Sequence, residues 1–277
     1  MRLTQHVGLL VLVTLLVGSP RVVDASLYGL SSSTYSLYEI DPATGAATLV
    51  APIGGDGYGV SYSGAAFLAG QMYATDVETD DDLSFGTIDI TTGAFTLINE
   101  QGGSNNWHGL AADSALGLLY TIDYNDGLRL KSVTPTGTIT SIGTGTGIDG
   151  RGLAFDNTND ILYGIDGASG NLCLVDTDTG TSTPIGSLGL GVGSALYRIG
   201  LDYDDDAGIL YAITQGSLYT VNVTTGAATE VGPNGVSDIE ALGWLGDAGG
   251  PAIPEPCTLS LLALGGLGLL ARRMRKR

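Results

Sequence analysis

Residues 218–226 read Leu-Tyr-Thr-Val-Asn-Val-Thr-Thr-Gly, a short alternating strand that runs into a Thr-Gly turn. The phrase returns as LYEIDPATG at 37–45, GTIDITTG at 86–93, LKSVTPTG at 130–137 and LCLVDTDTG at 172–180. A glycine at the reversal accepts the positive φ of a tight hairpin, so the copies predict one hairpin used five times. They point to a stacked or radial β architecture and do not point to a reaction.

Working outward from that phrase, each copy resolves into four short strands. The clearest is RGLAFD at 151–156, ILYGID at 161–166, NLCLVD at 171–176 and TSTPIG at 181–186. The second copy is looser, with its first phrase read as YGVSYS at 58–63. Tyr28, Tyr73, Tyr120, Tyr163 and Tyr211, one in each second phrase, are spaced by 45, 47, 43 and 48 residues, the period of a four-stranded propeller blade. They are expected to pack between blades. The first copy lacks its first phrase, which turns up at the far end as IEALGWLGD, 239–247. The expected fold is therefore all-β: a five-bladed β-propeller over 26–247, closed by the C-terminal strand joining the first blade. An N-terminal signal helix and a C-terminal hydrophobic helix are expected to flank it.

Composition narrows the function classes. Between Ser26 and Gly250 lie 27 acidic residues, all of the chain's 29 except Asp24 and Glu255, against only Arg129, Lys131, Arg151 and Arg198. Such a surface repels nucleic acid and anionic headgroups. Cys173 and Cys257 do not make a disulfide scaffold, and Cys173 reads as a small core residue inside a strand. His108 is the only histidine outside the first 25 residues, so no three-histidine zinc site can be built. No GxSxG elbow or phosphate-cradling GxxxxGK is present. Among so many acids no carboxylate pair stands out for glycoside hydrolysis.

Two places invite a ligand. The first strand of each blade should line the axis, and aligning the phrases puts Tyr58, His108, Arg151, Arg198 and Ala241 in equivalent positions at a channel mouth, with Trp107 and Glu240 beside them. His108, Arg151 and Arg198 have the chemistry to hold a carboxylate, phosphate or sugar acid; relief of repulsion in an acidic ring is the alternative. Trp244 in the closing strand reads as core. The loops Asp76–Asp82 and Asp202–Gly208 place Asp80, Asp82, Asp202, Asp204 and Asp206 as candidate calcium ligands, with a solvated turn as the alternative. No cofactor is expected beyond that possible calcium.

The two ends read as addresses. Arg2, the apolar run Val7–Val17 and the small-residue site Val23-Asp24-Ala25 form a signal peptide over 1–25, implying the export translocon and signal peptidase as partners. After a linker at 248–252 come Ile253-Pro254-Glu255-Pro256, an apolar run at Thr258–Ala271 and five cations among the last six residues. That run, about 21 Å as a helix, is short for a hydrocarbon core and spans only with local thinning.

Residues 253–277 resemble the PEP-CTERM sorting signal of exported bacterial proteins in the Pro254-Glu255-Pro256 motif, the Thr258-Leu259 start, the Gly/Leu-rich run and the terminal Arg cluster. The resemblance implies an exosortase-type membrane protease as partner, cleavage near the motif, and passage through the inner membrane to the cell surface or matrix. Residues 26–247 are similar, in their LY...D..TG phrasing, to exported propellers of the YncE or quinoprotein-like kind, without a tryptophan-docking repeat that would imply a bound quinone. The expectation is an exported surface or matrix protein whose propeller is a structural or binding module, with a polysaccharide or matrix component as partner. The alternative is an exported polysaccharide hydrolase or lyase using the acidic rim.

Overall fold

The computed structural model describes residues 25–55, 62–77, 83–101, 106–191, 198–214 and 216–246. Five separate antiparallel sheets stand around a common axis. Blade 1 holds β1 (Ser26–Ser31), β2 (Ser36–Ile40) and β3 (Ala47–Pro52), with β21 (Ile239–Leu245) as its inner strand. Blade 2 holds β5 (Tyr62–Leu68), β6 (Gln71–Val77), β7 (Leu83–Ile88) and β8 (Ala94–Gln101). Blade 3 is β9 (Trp107–Asp113), β10 (Leu118–Asp123), β11 (Arg129–Val133) and β12 (Ile139–Ile142). Blade 4 is β13 (Gly150–Asp156), β14 (Ile161–Asp166), β15 (Asn171–Val175) and β16 (Ser182–Ser187). Blade 5 is β17 (Gly200–Asp204), β18 (Ile209–Thr214), β19 (Ser217–Val221) and β20 (Ala228–Pro233). A short β4 (Gly54–Gly55), laid parallel to β8, makes the second sheet five-stranded where four were expected.

The inner strands pack in cyclic order, β21 on β5, β5 on β9, β9 on β13, β13 on β17 and β17 on β21. Small residues let them meet. A Cβ on Gly64 would stand 2.6 Å from the Gly109 carbonyl carbon, one on Gly109 2.7 Å from Leu153 N, one on Gly152 2.9 Å from Leu201 Cβ, and one on Gly200 2.8 Å from Leu242 N. Ala241 fills the fifth place. The axis is packed shut there, with no space for a water molecule among these residues. A second ring of glycines lies at the periphery. Gly45, Gly93, Gly137, Gly180 and Gly226, the glycines of the Thr-Gly turns, all have φ between +69° and +84°, and each abuts the outer strand of the preceding blade. The core between these rings is five apolar wedges, one at each blade interface.

The structure corrects the expected fold class on two counts. No sheet closes on itself: each is an open ribbon, and face-to-face packing completes the ring, with β21 hydrogen-bonded to β1 from Ser26↔Leu245 to Ser31↔Ile239. No described element is a helix, and none among the described residues is long and apolar enough to cross a membrane. The signal helix, the transmembrane tail helix and the inner-membrane stage inferred from them thus have no counterpart in the architecture. Residues 1–24 and 247–277, on which those readings fall, including Pro254, Glu255 and Pro256, lie outside the described residues.

The inner strand of blade 2 is also displaced from its expected 58–63 to Tyr62–Leu68, because Gly64 is the residue that can approach β9. Replacing Gly64 by Ala should destabilise the ring by about 1–3 kcal/mol through overpacking against backbone. Gly54→Ala, where nothing lies within 4 Å, should be near neutral; equal urea midpoints for the two variants would contradict the steric account.

Candidate functional site

The blades offer two rims. At the first, where inner strands begin, strand pairing puts His108, Arg151 and Glu240 in equivalent places beside Ser63 and Ile199, so Arg198 sits one residue before the position expected for it. His108 and Arg151 do meet, with Arg151 Nη1 3.1 Å from His108 Nε2. The guanidinium is already engaged by Asp149, Nε to Oδ1 at 2.9 Å and Nη2 to Oδ2 at 3.1 Å, and its Cζ lies 5.3 Å from the Tyr124 ring centroid. Burial, and next the neighbouring guanidinium, push the His108 imidazole down to about 3, so it is neutral and accepts from Arg151.

Arg198 pairs with Glu240 at 2.8 Å and Asp238 at 3.2 Å beside a small cavity of 180 Å³. Arg129 and Lys131 both pair with Asp126. Every described basic residue is therefore committed to a carboxylate at or near this rim. Trp107 is not at the mouth: it is 1% exposed and packs on Phe85 in the wedge between blades 2 and 3. Tyr58 lies outside the described residues.

At the second rim the inner strands of blades 3 to 5 end in Asp113, Asp156 and Asp204. Each caps its turn, Asp204 Oδ1 accepting from Asp206 N at 3.0 Å and Ala207 N at 2.9 Å. The following residues latch the blades together: Asn157 Oδ1 accepts from Ser114 N at 2.7 Å, and Asp205 accepts from Asn157 N at 2.7 Å and Nδ2 at 2.9 Å. Of the candidate calcium ligands, Asp204 is thus a turn cap, Asp206 is exposed, and Asp202 is turned to backbone. No group of three metal-binding side chains occurs among the described residues, and Asp80 and Asp82 lie outside them.

The same rim holds a feature that the sequence reading missed. A funnel of 530 Å³ opens on the axis, walled by Phe67, Phe155, Tyr203 and Trp244, with Asp202, Asp205 and Asp206 among its lining. The aromatics occupy one place in successive inner strands, where blade 3 has Ala112. Each stacks or tilts against the second-strand tyrosine of the preceding blade: Tyr28 on Phe67 at 5.6 Å, Tyr120 on Phe155 at 5.9 Å, Tyr163 on Tyr203 at 6.1 Å and Tyr211 on Trp244 at 5.9 Å. The tyrosines do pack between blades as expected. Trp244, read as core, is half-buried and serves both wedge and funnel. The available signal was columnar, an aromatic three residues after a small one in four of five first phrases once the register is right.

Asp202 stands where the other inner strands carry Ala66, Ala111, Ala154 and Gly243. Its oxygens accept from Tyr203 N at 2.8 Å and Trp244 N at 2.6 Å, yet burial outweighs those bonds and pushes its carboxyl up to about 8. The folded chain therefore keeps a proton that the unfolded chain loses above about pH 4. Stability from this group is full below that pH and lost as pH rises through about 8. Asp202→Asn, which imitates the protonated acid, should reduce the fall in urea midpoint between pH 5 and pH 9; a variant that falls as far as wild type would show that Asp202 does not titrate there.

No family model and no curated protein matches the chain. Among solved structures, a chain of a nidogen/laminin complex aligns at 15% identity with TM-score 0.54, over 79% of this chain and 98% of that one. The likeness is one of fold. A structural-genomics protein of unknown function from Bacteroides thetaiotaomicron aligns at 18% identity and TM-score 0.45, over 74% of this chain and 49% of that one. A luciferin-regenerating enzyme aligns at 18% and TM-score 0.43, over 74% of each chain.

Proposed function

We propose that the propeller is a binding module whose ligand site is the funnel of the second rim. The supporting observation is the conjunction of a closed axis with a 530 Å³ aromatic-walled recess directly above it. The first-rim residues Arg151, Arg198 and Glu240 serve on this reading as members of charge pairs that hold loops in place, with the neutral His108 accepting from Arg151. A hydrolase or lyase needs free, converging carboxyls, whereas Asp202 is held by two backbone donors and Asp205 by Asn157, which favours binding over catalysis.

The two tryptophans make the test direct, because Trp107 is buried in the core and Trp244 lines the funnel. A panel of glycans, peptides and small aromatics should contain ligands that protect part of the emission from acrylamide, and Trp244→Phe should remove the protected component. Protection that persists in Trp244→Phe would place binding elsewhere.

The proposal extends to the carboxyl end, where residues 253–277 act as a processing signal for an exosortase-type protease. Its support is the ordered occurrence of Pro254-Glu255-Pro256, the Gly/Leu run and the Arg cluster. Intact mass of the protein from its native cells should end near Pro256; a mass that retains Arg277 would refute processing.

A further inference from the structure

Four blades carry an aromatic residue at the funnel wall, and one does not. In blade 3 the place belongs to Ala112, and Tyr73, the tyrosine that would face a ring there, stacks instead on Phe85 of its own blade at 5.8 Å. The lining on that side is correspondingly slight: Ala112, Ser114, Gly117 and Pro135. Two blades around the ring, the funnel is edged by Asp205 and Asp206, beside the buried and protonated Asp202, and among the described residues it has no basic side chain in its lining. The four described cations are held at or near the other rim by Asp126, Asp149, Asp238 and Glu240. The recess thus combines a missing ring with an uncompensated negative edge.

We propose that the funnel takes an organic cation built on a ring, the ring lying over Ala112 in the place of the absent fifth aromatic and the positive group facing Asp205 and Asp206. This rests on the reading of the funnel as the ligand site. An apolar ring gains from leaving water against Phe67, Phe155 and Trp244, while the carboxylates and aromatic wall favour a weakly hydrated ammonium. An anion meets only repulsion.

The test uses the full chain and three probes of one skeleton, benzyltrimethylammonium, benzyl alcohol and benzoate, with tetramethylammonium as the ringless control, measured by calorimetry. Benzyltrimethylammonium should bind about ten-fold or more tightly than benzyl alcohol or tetramethylammonium, and benzoate should not bind. Ala112→Phe, whose added ring meets Tyr73, should abolish the ring probes with its urea midpoint kept. Should it fail to fold, the smaller Ala112→Val should weaken them in part. Asp206→Asn, at an exposed side chain, should weaken the cation several-fold and leave benzyl alcohol unchanged.

Benzyl alcohol binding as tightly as the cation, or tetramethylammonium as tightly as its benzyl analogue, would overturn the proposal while the funnel remains a site. No binding of any probe overturns it as well. If the broad panel also fails to protect Trp244, the funnel reading falls with it.

Discussion

Backbone-to-backbone contact of the five inner strands governs the rest of this structure. A propeller built on twisted sheets brings its innermost strands together in a narrowing space, and here Gly64, Gly109, Gly152 and Gly200 meet the next strand where a Cβ would overlap it. Away from the axis the sheets diverge, and larger side chains fill the widening wedges. At the periphery a turn glycine from each blade comes back to its neighbour's outer strand. Contact at both radii leaves each blade little freedom to tilt, which is what keeps loops from different blades in fixed relation.

The funnel follows from the same taper. Three residues beyond the close-contact position the strands have separated enough to admit Phe67, Phe155, Tyr203 and Trp244, but not enough for them to fill the axis. The tyrosine of the preceding blade braces each ring from behind. These aromatics are therefore structural on one face and available at the recess, and their burial in the wedges keeps the wall in place before any ligand arrives. Charge is divided as firmly. Pairing of the scarce cations near the first rim leaves the second, among the described residues, with acids alone.

Much of this was legible in the residues because the repeat states it five times. The Thr-Gly phrases mark the third turn of every blade, and their glycines have the positive φ that a tight reversal demands. The tyrosine period gave the blade count. Register was harder: YGVSYS and YSGAAF alternate equally well, and only the steric fit of Gly64 against β9 chooses between them. That one choice decides which residues of blade 2 share a level with the other inner strands; elsewhere, Arg198 sits one residue before, and Ala241 one residue after, the level of His108 and Arg151. His108 and Arg151 lie side by side, but Asp149 and Tyr124, which occupy the guanidinium, come from loops that carry no pattern. Asp202 looked like one acid among many in an Asp-rich loop; its burial depends on which face of β17 turns inward.

The seam between β1 and β21 gives the molecule a mechanical character. The strands are antiparallel, and Ser26 and Leu245 face each other at one end of the ladder, so the chain enters and leaves the ring side by side at the funnel rim. Tension between those ends acts across the hydrogen bonds and loads them one at a time from the open end inward. Such a seam peels at low force instead of shearing at high force. The propeller is thus a ring with a weak clasp, and pulling on its two ends would open the seam first, beside Trp244 and one wall of the funnel.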